Sequence, residues 1–179
     1  FRIINESGLE INYRATSTQD TVVNFTNHAY FNLSEDDEIL DHLLHINAAE
    51  YQPVDSELIP LNGLEPVDGS VFDFRKPRRL REGIEALDRE KQLQLGNGYD
   101  HNYKLLAGIN FNAPAATLQS PLRDILLSIY TTLPGCQLYT GNHLTPKHRA
   151  LCLETQHFPD SPNRPDFPST VLRKGEAYK

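Results

Sequence analysis

No methionine and no tryptophan occur among the 179 residues, and the chain opens on Phe1. A sequence of this length without either residue, and without an initiator, reads as a fragment or a processed form of a longer protein. Cysteine is almost absent too. Cys136 and Cys152 stand at no metal-ligand spacing and allow one bridge at most, which excludes a disulfide framework and fits a reducing, cytoplasmic setting. No apolar run approaches the ~20 residues that a membrane-spanning helix needs, and mean hydropathy is −0.50. The first residues lack both the basic start and the small-residue cleavage site of a signal peptide. Positive charge is scarce as well: the net charge of −7 argues against nucleic acid as a partner. The one basic cluster, Arg75 to Arg81, runs straight into Glu82, Glu85 and Asp88 and reads as a solvated helix face. Seven histidines are present, yet His-Glu-x-x-His and His-x-His are missing, so no metal is expected. His42 and His45, three apart, would face opposite sides of a strand. A serine hydrolase is disfavoured by the lack of a Gly-x-Ser-x-Gly elbow.

What the chain does have is alternation. From Thr21 to Leu33 the side chains separate with a period of two. Val23, Phe25, Ala29, Phe31 and Leu33 share one face, broken only by Asn27. Asn24, Thr26, His28, Tyr30 and Asn32 share the other, which has the chemistry to hold a polyhydroxylated ligand and to move a proton on it. Glycosylation sequons at Asn5, Asn24 and Asn32 read as chance, because the last two lie on that polar face. Alternation recurs around Leu9, Ile11 and Tyr13, at Leu44 and Ile46, at Ile125, Leu127 and Ile129, and at Leu151 and Leu153. Short runs of this kind separated by turn residues predict an all-β sandwich or barrel, and the length suits one domain over residues 1–179 that buries roughly 70 % of its unfolded surface. One helix is predicted, Pro77 to Leu93, from Leu80, Ile84 and Leu87 at i, i+4 and i+7. Two irregular stretches remain. Pro53 to Arg75 is rich in Pro, Gly and Asp. Pro159 to Pro168 carries a Pro at every third position and reads as a rigid loop, with a strand-like run, Thr170 to Leu172, after it.

Glu154 follows Leu153 in an alternating strand and so shares a face with Cys152 and Gln156. A mid-strand Glu is disfavoured by propensity and costly to bury unpaired. Its run, Leu-Cys-Leu-Glu-Thr-Gln-His-Phe, is too apolar for an open surface and fits the mouth of a lined cavity. Asp100 lies in Gly-Asn-Gly-Tyr-Asp-His-Asn, a turn whose glycines let backbone approach a ligand. It serves either a ligand or the turn itself. Gln137 and Tyr139 share a strand face that ends at Gly141-Asn142. These residues either hydrogen-bond hydroxyls or close a turn. Paired-carboxylate glycosidase chemistry through Glu154 and Asp100 is a formal alternative.

Five motifs in chain order resemble the aldose 1-epimerase (galactose mutarotase) family. They are Thr-Asn-His-Ala-Tyr-Phe-Asn-Leu (Thr26 to Leu33), Gly-Ser-Val-Phe-Asp-Phe-Arg (Gly69 to Arg75), Gly-Tyr-Asp-His-Asn (Gly98 to Asn102), Gln-Leu-Tyr-Thr-Gly-Asn (Gln137 to Asn142) and Leu-Glu-Thr-Gln-His-Phe-Pro-Asp-Ser-Pro-Asn (Leu153 to Asn163). The resemblance implies a large antiparallel β-sandwich with a sugar cleft on one sheet. It also implies an isomerase that interconverts the α and β anomers of free hexoses such as glucose or galactose, without cofactor or metal. Carried over by motif, Glu154 would be the base and His28 the acid. Asp100, Gln137, Asn27 and Tyr30 would contact the sugar. A bell-shaped dependence of rate on pH follows from that pair. The partner would be a monosaccharide, with neither nucleic acid nor membrane involved, and the protein would be a monomer or homodimer.

This sequence departs from the family in three respects. The family contributes an Arg and a further His from strands before this chain's first residue, so the resemblance implies the C-terminal portion of the sandwich. The run from Asn142 to Pro146 is shorter than the family's loop, and His143 stands where an aromatic, usually Phe, is expected. Two other readings are a non-catalytic carbohydrate-binding module on the same sandwich and a hexose-6-phosphate epimerase. The second would need a basic phosphate pocket.

Overall fold

Short alternating runs build the molecule, as a computed structural model that describes residues 1–106 and 112–178 makes clear. The chain forms two compact units, Phe1–Phe25 with Asp160–Lys179, and Thr26–Pro159. In the first unit, β1 (Arg2–Ile4) pairs antiparallel with β2 (Gly8–Glu10), and β3 (Ala15–Thr16) and β4 (Thr21–Val22) follow. Their partners come from the end of the chain and are given below. Leu9 is 59 % exposed, so the alternation around it stays at the surface.

The second unit holds two antiparallel sheets. Its elements are β5 (Leu43–Ile46), β6 (Ala48–Gln52), β7 (Glu65–Pro66), β8 (Arg78–Arg79), α1 (Leu80–Ile84), α2 (Lys91–Gly96), β9 (Asp100–Leu105), β10 (Ala116–Gln119), β11 (Leu126–Ile129), β12 (Gly135–Tyr139) and β13 (Cys152–Gln156). One sheet runs β11-β10-β5-β8, the other β13-β12-β9-β6-β7. Leu44, Ile46, Ala116 and Leu118 of the first sheet join Tyr51, Tyr103, Leu138 and Leu153 of the second in one hydrophobic cluster. This is the all-β sandwich that the alternation predicts. Two strands close the first unit: β14 (Val171–Leu172) pairs with β4, and β15 (Ala177–Tyr178) with β3. A 3₁₀ turn, Ser161–Asn163, lies in the Pro-rich loop, where Arg164 stacks 4.4 Å over the Phe167 ring. No described helix is long and apolar enough to cross a membrane.

Three local expectations are corrected. The alternating segment Thr21 to Leu33 is a strand only at Thr21–Val22, with a single further bridge from Phe31 to Leu151. Side chains serve part of its backbone instead: the Asn27 side chain accepts the Ala29 N–H at 3.1 Å, a bond that competes with a ladder, and His42 Nε2 accepts the Leu33 N–H at 2.9 Å. The helix expected over Pro77 to Leu93 is two short helices. Gly83 lies within the first of them, where a Cβ would meet the Tyr99 hydroxyl at 1.7 Å, and that hydroxyl donates to the Val71 carbonyl at 2.7 Å. The chain leaves the helix after Ile84 and re-enters one at Lys91. The basic cluster is not a free helix face either. Arg75 is held by Asp68 and Asp73, and Arg81 by Glu38 and Asp41.

The Pro53 to Arg75 stretch earns its length by delivering Val67, Phe72 and Phe74 to the core. Phe72 stacks on Tyr51 at 4.1 Å and meets the edges of Tyr99 and His101. Asn142, open between a ligand and a turn in the sequence, belongs to the turn. It is fully buried, donates to the Gly96 and Tyr99 carbonyls at 2.8 and 2.9 Å, and accepts from Thr140 Oγ1 at 2.7 Å. Gly98, with φ +135°, passes so close that a Cβ would sit 2.3 Å from Asn142 Oδ1. Asn142→Leu would leave the Gly96 carbonyl buried without this partner, at a cost of about 1–3 kcal/mol, while the Tyr99 carbonyl keeps the Thr140 N–H at 3.1 Å. A loss of about 2 kcal/mol is expected in denaturant titration.

Candidate active site

The five-stranded sheet has one apolar face and one polar face. Tyr51, Tyr103, Leu138 and Leu153 point into the core, so by the period of two the residues between them point the other way. Register then lines up a row. Glu154 of β13 stands opposite Gln137 of β12, Gln137 opposite Asn102 of β9, and Asn102 opposite Gln52 of β6. Asp100 and Tyr139 form the neighbouring pair on the same face.

Asp100 begins β9 rather than lying in the turn, whose glycines precede it. Its N–H donates to His101 Nδ1 at 3.1 Å, and His101 Nε2 meets Gln92 Oε1 at 3.1 Å. His101 is fully buried and its pKa falls to about 3, so a neutral imidazole anchors this strand end. Gln137 Nε2 donates to Asp100 Oδ1 at 2.7 Å.

At the other end of the row, Glu154 is only 7 % exposed, and its Oε1 lies 3.4 Å from His28 Nε2. The second ring nitrogen of His28, Nδ1, lies 3.3 Å from Cys152 Sγ. Both imidazole nitrogens are thus met by alternate residues of one strand, β13. The His28 ring also rests against Tyr30 and Tyr139, with centroids 5.2 and 6.2 Å away. Tyr139 in turn stacks on His143 and accepts the His143 backbone N–H at 3.0 Å.

Electrostatics follow from this burial. Desolvation raises the Glu154 carboxyl above its ordinary range; the His28 charge pulls it back and Asp100 pushes it up again. Desolvation also raises Asp100, against the Gln137 hydrogen bond and the nearby charges of His143 and His28. The Cys152 thiol is pushed up to about 12 by burial and by the Glu154 and Asp100 charges. It is a neutral S–H at physiological pH. Cys136 is likewise buried and raised to about 12, and both cysteines are free thiols.

His28, Tyr30, Asp100, Gln137 and Glu154 therefore converge on one side of one sheet. Asn27, next to His28 in the chain, accepts the Ala29 N–H through Oδ1. Sequence reasoning missed the Cys152 contact with His28 and the part that Gln52 and Asn102 take in the row. The Cys152–Glu154 spacing was visible, but pairing with His28 spans 124 positions. His42, which the sequence did not offer as a metal ligand, is structural: its Nε2 accepts the Leu33 N–H at 2.9 Å. Among the described residues no group of three or more His, Cys, Asp or Glu is arranged to hold a metal.

The family model of aldose 1-epimerase matches residues 1–179. Galactose mutarotase of Homo sapiens is 42 % identical over 183 residues, covering 95 % of this chain and 51 % of its own length. Aldose 1-epimerase of Escherichia coli is 38 % identical over 191 residues, covering 99 % of this chain and 54 % of its own. Among solved structures, the aldose epimerase homologue of C. elegans superimposes with a TM-score of 0.80 at 28 % identity, over 92 % of this chain and 51 % of that one. Galactose 1-epimerase of Lactobacillus acidophilus gives 0.77 at 31 % identity, over 92 % and 48 %. The chain spans about half the length of the curated relatives it matches. With matching motifs, fold and family model along its whole length, the chain belongs to the aldose 1-epimerase family.

Proposed function

We propose that this chain carries the acid–base pair of an aldose 1-epimerase, which interconverts the α and β anomers of free hexoses such as galactose and glucose. The supporting observation is the 3.4 Å approach of His28 Nε2 to Glu154 Oε1. Ring opening needs a base at the anomeric hydroxyl and an acid at the ring oxygen. Those two oxygens share one carbon, so the two groups must be close neighbours.

Glu154 takes the proton from the anomeric hydroxyl. The C1–O1 bond becomes a carbonyl as the bond from C1 to the ring oxygen breaks. The electron pair moves to that oxygen, which takes a proton from His28 Nε2. Rotation about C1–C2 presents the other face of the aldehyde, and the same transfers in reverse close the ring as the opposite anomer. Asp100 and Gln137, already joined at 2.7 Å, hold the sugar hydroxyls, and Tyr30 and Tyr139 wall the His28 ring. The His28 charge favours the ionised form of the Glu154 base.

Cys152 is a positioning residue in this reading. Its neutral thiol contributes no charge, but it fixes the imidazole so that Nε2 faces Glu154. Cys152→Ala should lower kcat by roughly 10- to 100-fold through lost orientation, leave KM within about twofold, and keep the shape of the pH profile. Cys152→Ser should recover most of the rate. Equal losses in both variants, or a change confined to KM, would count against this role.

The reading as a whole is tested by exchange NMR between the α and β anomeric protons of glucose and galactose. Saturation transfer accelerated by the protein supports an epimerase. Sugar binding without accelerated exchange would support the binding-module reading instead.

A further inference from the structure

Beside Gln137 the polar row continues past the residues assigned to the sugar above. Gln52 is 1 % exposed and Asn102 is 2 % exposed. Gln52 Nε2 donates to the Pro159 carbonyl at 3.3 Å. Gln52 Oε1, both side-chain polar atoms of Asn102, and Gln137 Oε1 have no hydrogen-bond partner among the described residues. Four buried amide atoms without partners in one cross-strand row are unusual, since buried polar groups are nearly always satisfied.

They are not scattered. Gln52, Asn102, Asp100 and Gln137 line one small cavity together with Val54, Leu58, Pro60 and Pro159. Its volume is about 90 Å³, several times the ~10–15 Å³ that a cavity needs to hold one water on this measure. That is room for a hydroxyl-bearing substituent. Gly135, two residues before Gln137 on the same face, helps keep Asn102 in place without crowding: a Cβ there would lie 2.7 Å from Asn102 Oδ1. The amides offer an acceptor at Gln52, an acceptor and a donor at Asn102, and an acceptor at Gln137. This is the complement of sugar hydroxyls, which donate and accept at once.

Strands are ~4.8 Å apart, so Asn102 lies two strands, or ~10 Å, from the strand of Glu154. We propose that this cavity is a specificity pocket for a hydroxyl group on the part of the hexose remote from the anomeric carbon, read by Gln52 and Asn102. The assignment rests on the epimerase reading only in placing the anomeric carbon at Glu154. Bringing a hydroxyl into the cavity satisfies amides that the free protein leaves unpaired. A sugar without that hydroxyl leaves them buried and alone, the situation in which polar sites discriminate best.

The test measures affinity rather than turnover. Titration calorimetry of the protein with D-galactose, 4-deoxy-D-galactose and 6-deoxy-D-galactose should show a roughly tenfold weakening for one of the deoxy sugars, the value of one well-made hydrogen bond. Loss with the 4-deoxy sugar assigns the pocket to the ring hydroxyl, and loss with the 6-deoxy sugar assigns it to the hydroxymethyl group. Gln52→Leu should bind galactose roughly tenfold more weakly and cease to discriminate, while its melting temperature stays level or rises. Asn102→Leu is the second variant, with the same expectation. Equal affinity for all three sugars in the wild type would overturn the proposal, as would a Gln52→Leu variant that loses stability but keeps its affinity. Discrimination without any anomeric exchange would leave the pocket standing and defeat the epimerase reading. Absence of any hexose binding would defeat both.

Discussion

Glu154→Gln is expected to lower the rate of anomer interconversion by on the order of 10²–10⁴, while making the protein more resistant to heat at neutral pH. The first effect follows from removing the base, because an amide cannot accept the anomeric proton. The second follows from burial. Desolvation raises the Glu154 carboxyl, and the opposing pull of His28 does not cancel it. A carboxyl whose pKa is raised by folding binds its proton more tightly in the native state. Its contribution to stability is therefore complete below the unfolded value of ~4.3 and is lost as pH rises through the native value. Above the native value the wild type bears the cost of an ionised, buried carboxylate, and the Gln variant bears none. The difference in melting temperature should be largest near neutrality and shrink towards zero as the pH falls below ~4.3. A variant less stable than wild type at pH 7 would contradict the electrostatic account.

His28→Asn is the second large effect. Loss of the acid at the ring oxygen should again lower the rate by on the order of 10²–10⁴. The residual activity should carry a distinctive signature. The His28 charge lowers the Glu154 carboxyl, while burial and Asp100 raise it. Without His28 those two act unopposed. The acid limb of the rate profile, where Glu154 is protonated and inactive, should then move to higher pH than in the wild type. An acid limb that stays in place would mean that the two groups are not coupled.

The strands that build the second unit were legible because their side chains obey one period. Leu44 and Ile46, and Leu151 and Leu153, are buried on schedule. That schedule also placed Glu154 on the face opposite the core. Elsewhere the period misled. Leu80, Ile84 and Leu87 are spaced for one helix, yet α1 ends at Ile84 and α2 begins only at Lys91. Thr21 to Leu33 alternates without a continuous ladder, because period alone cannot say whether a neighbouring strand offers partners.

The site was legible residue by residue and not as an arrangement. His28 and Glu154 could be named from their neighbours in sequence, but their 3.4 Å separation depends on packing between distant segments. The same holds for Cys152 on His28 and for the alignment of Gln52 with Asn102, Gln137 and Glu154. That alignment rests on three successive strand registers. Local patterning sets the face on which a residue lies, and only pairing sets which residue stands opposite. A phosphate pocket of the kind a hexose-6-phosphate epimerase would need finds no support at the two most prominent arginines, since Arg75 and Arg81 are each held by two carboxylates.

The central claim is tested most directly by polarimetry of freshly dissolved α-D-galactose across a pH series, with the wild type and Glu154→Gln side by side. Acceleration by the wild type alone, falling away on the acid side as Glu154 takes up its proton, is the predicted result. A wild type that never accelerates the decay of optical rotation, or a Glu154→Gln variant that accelerates it equally well, would contradict the account.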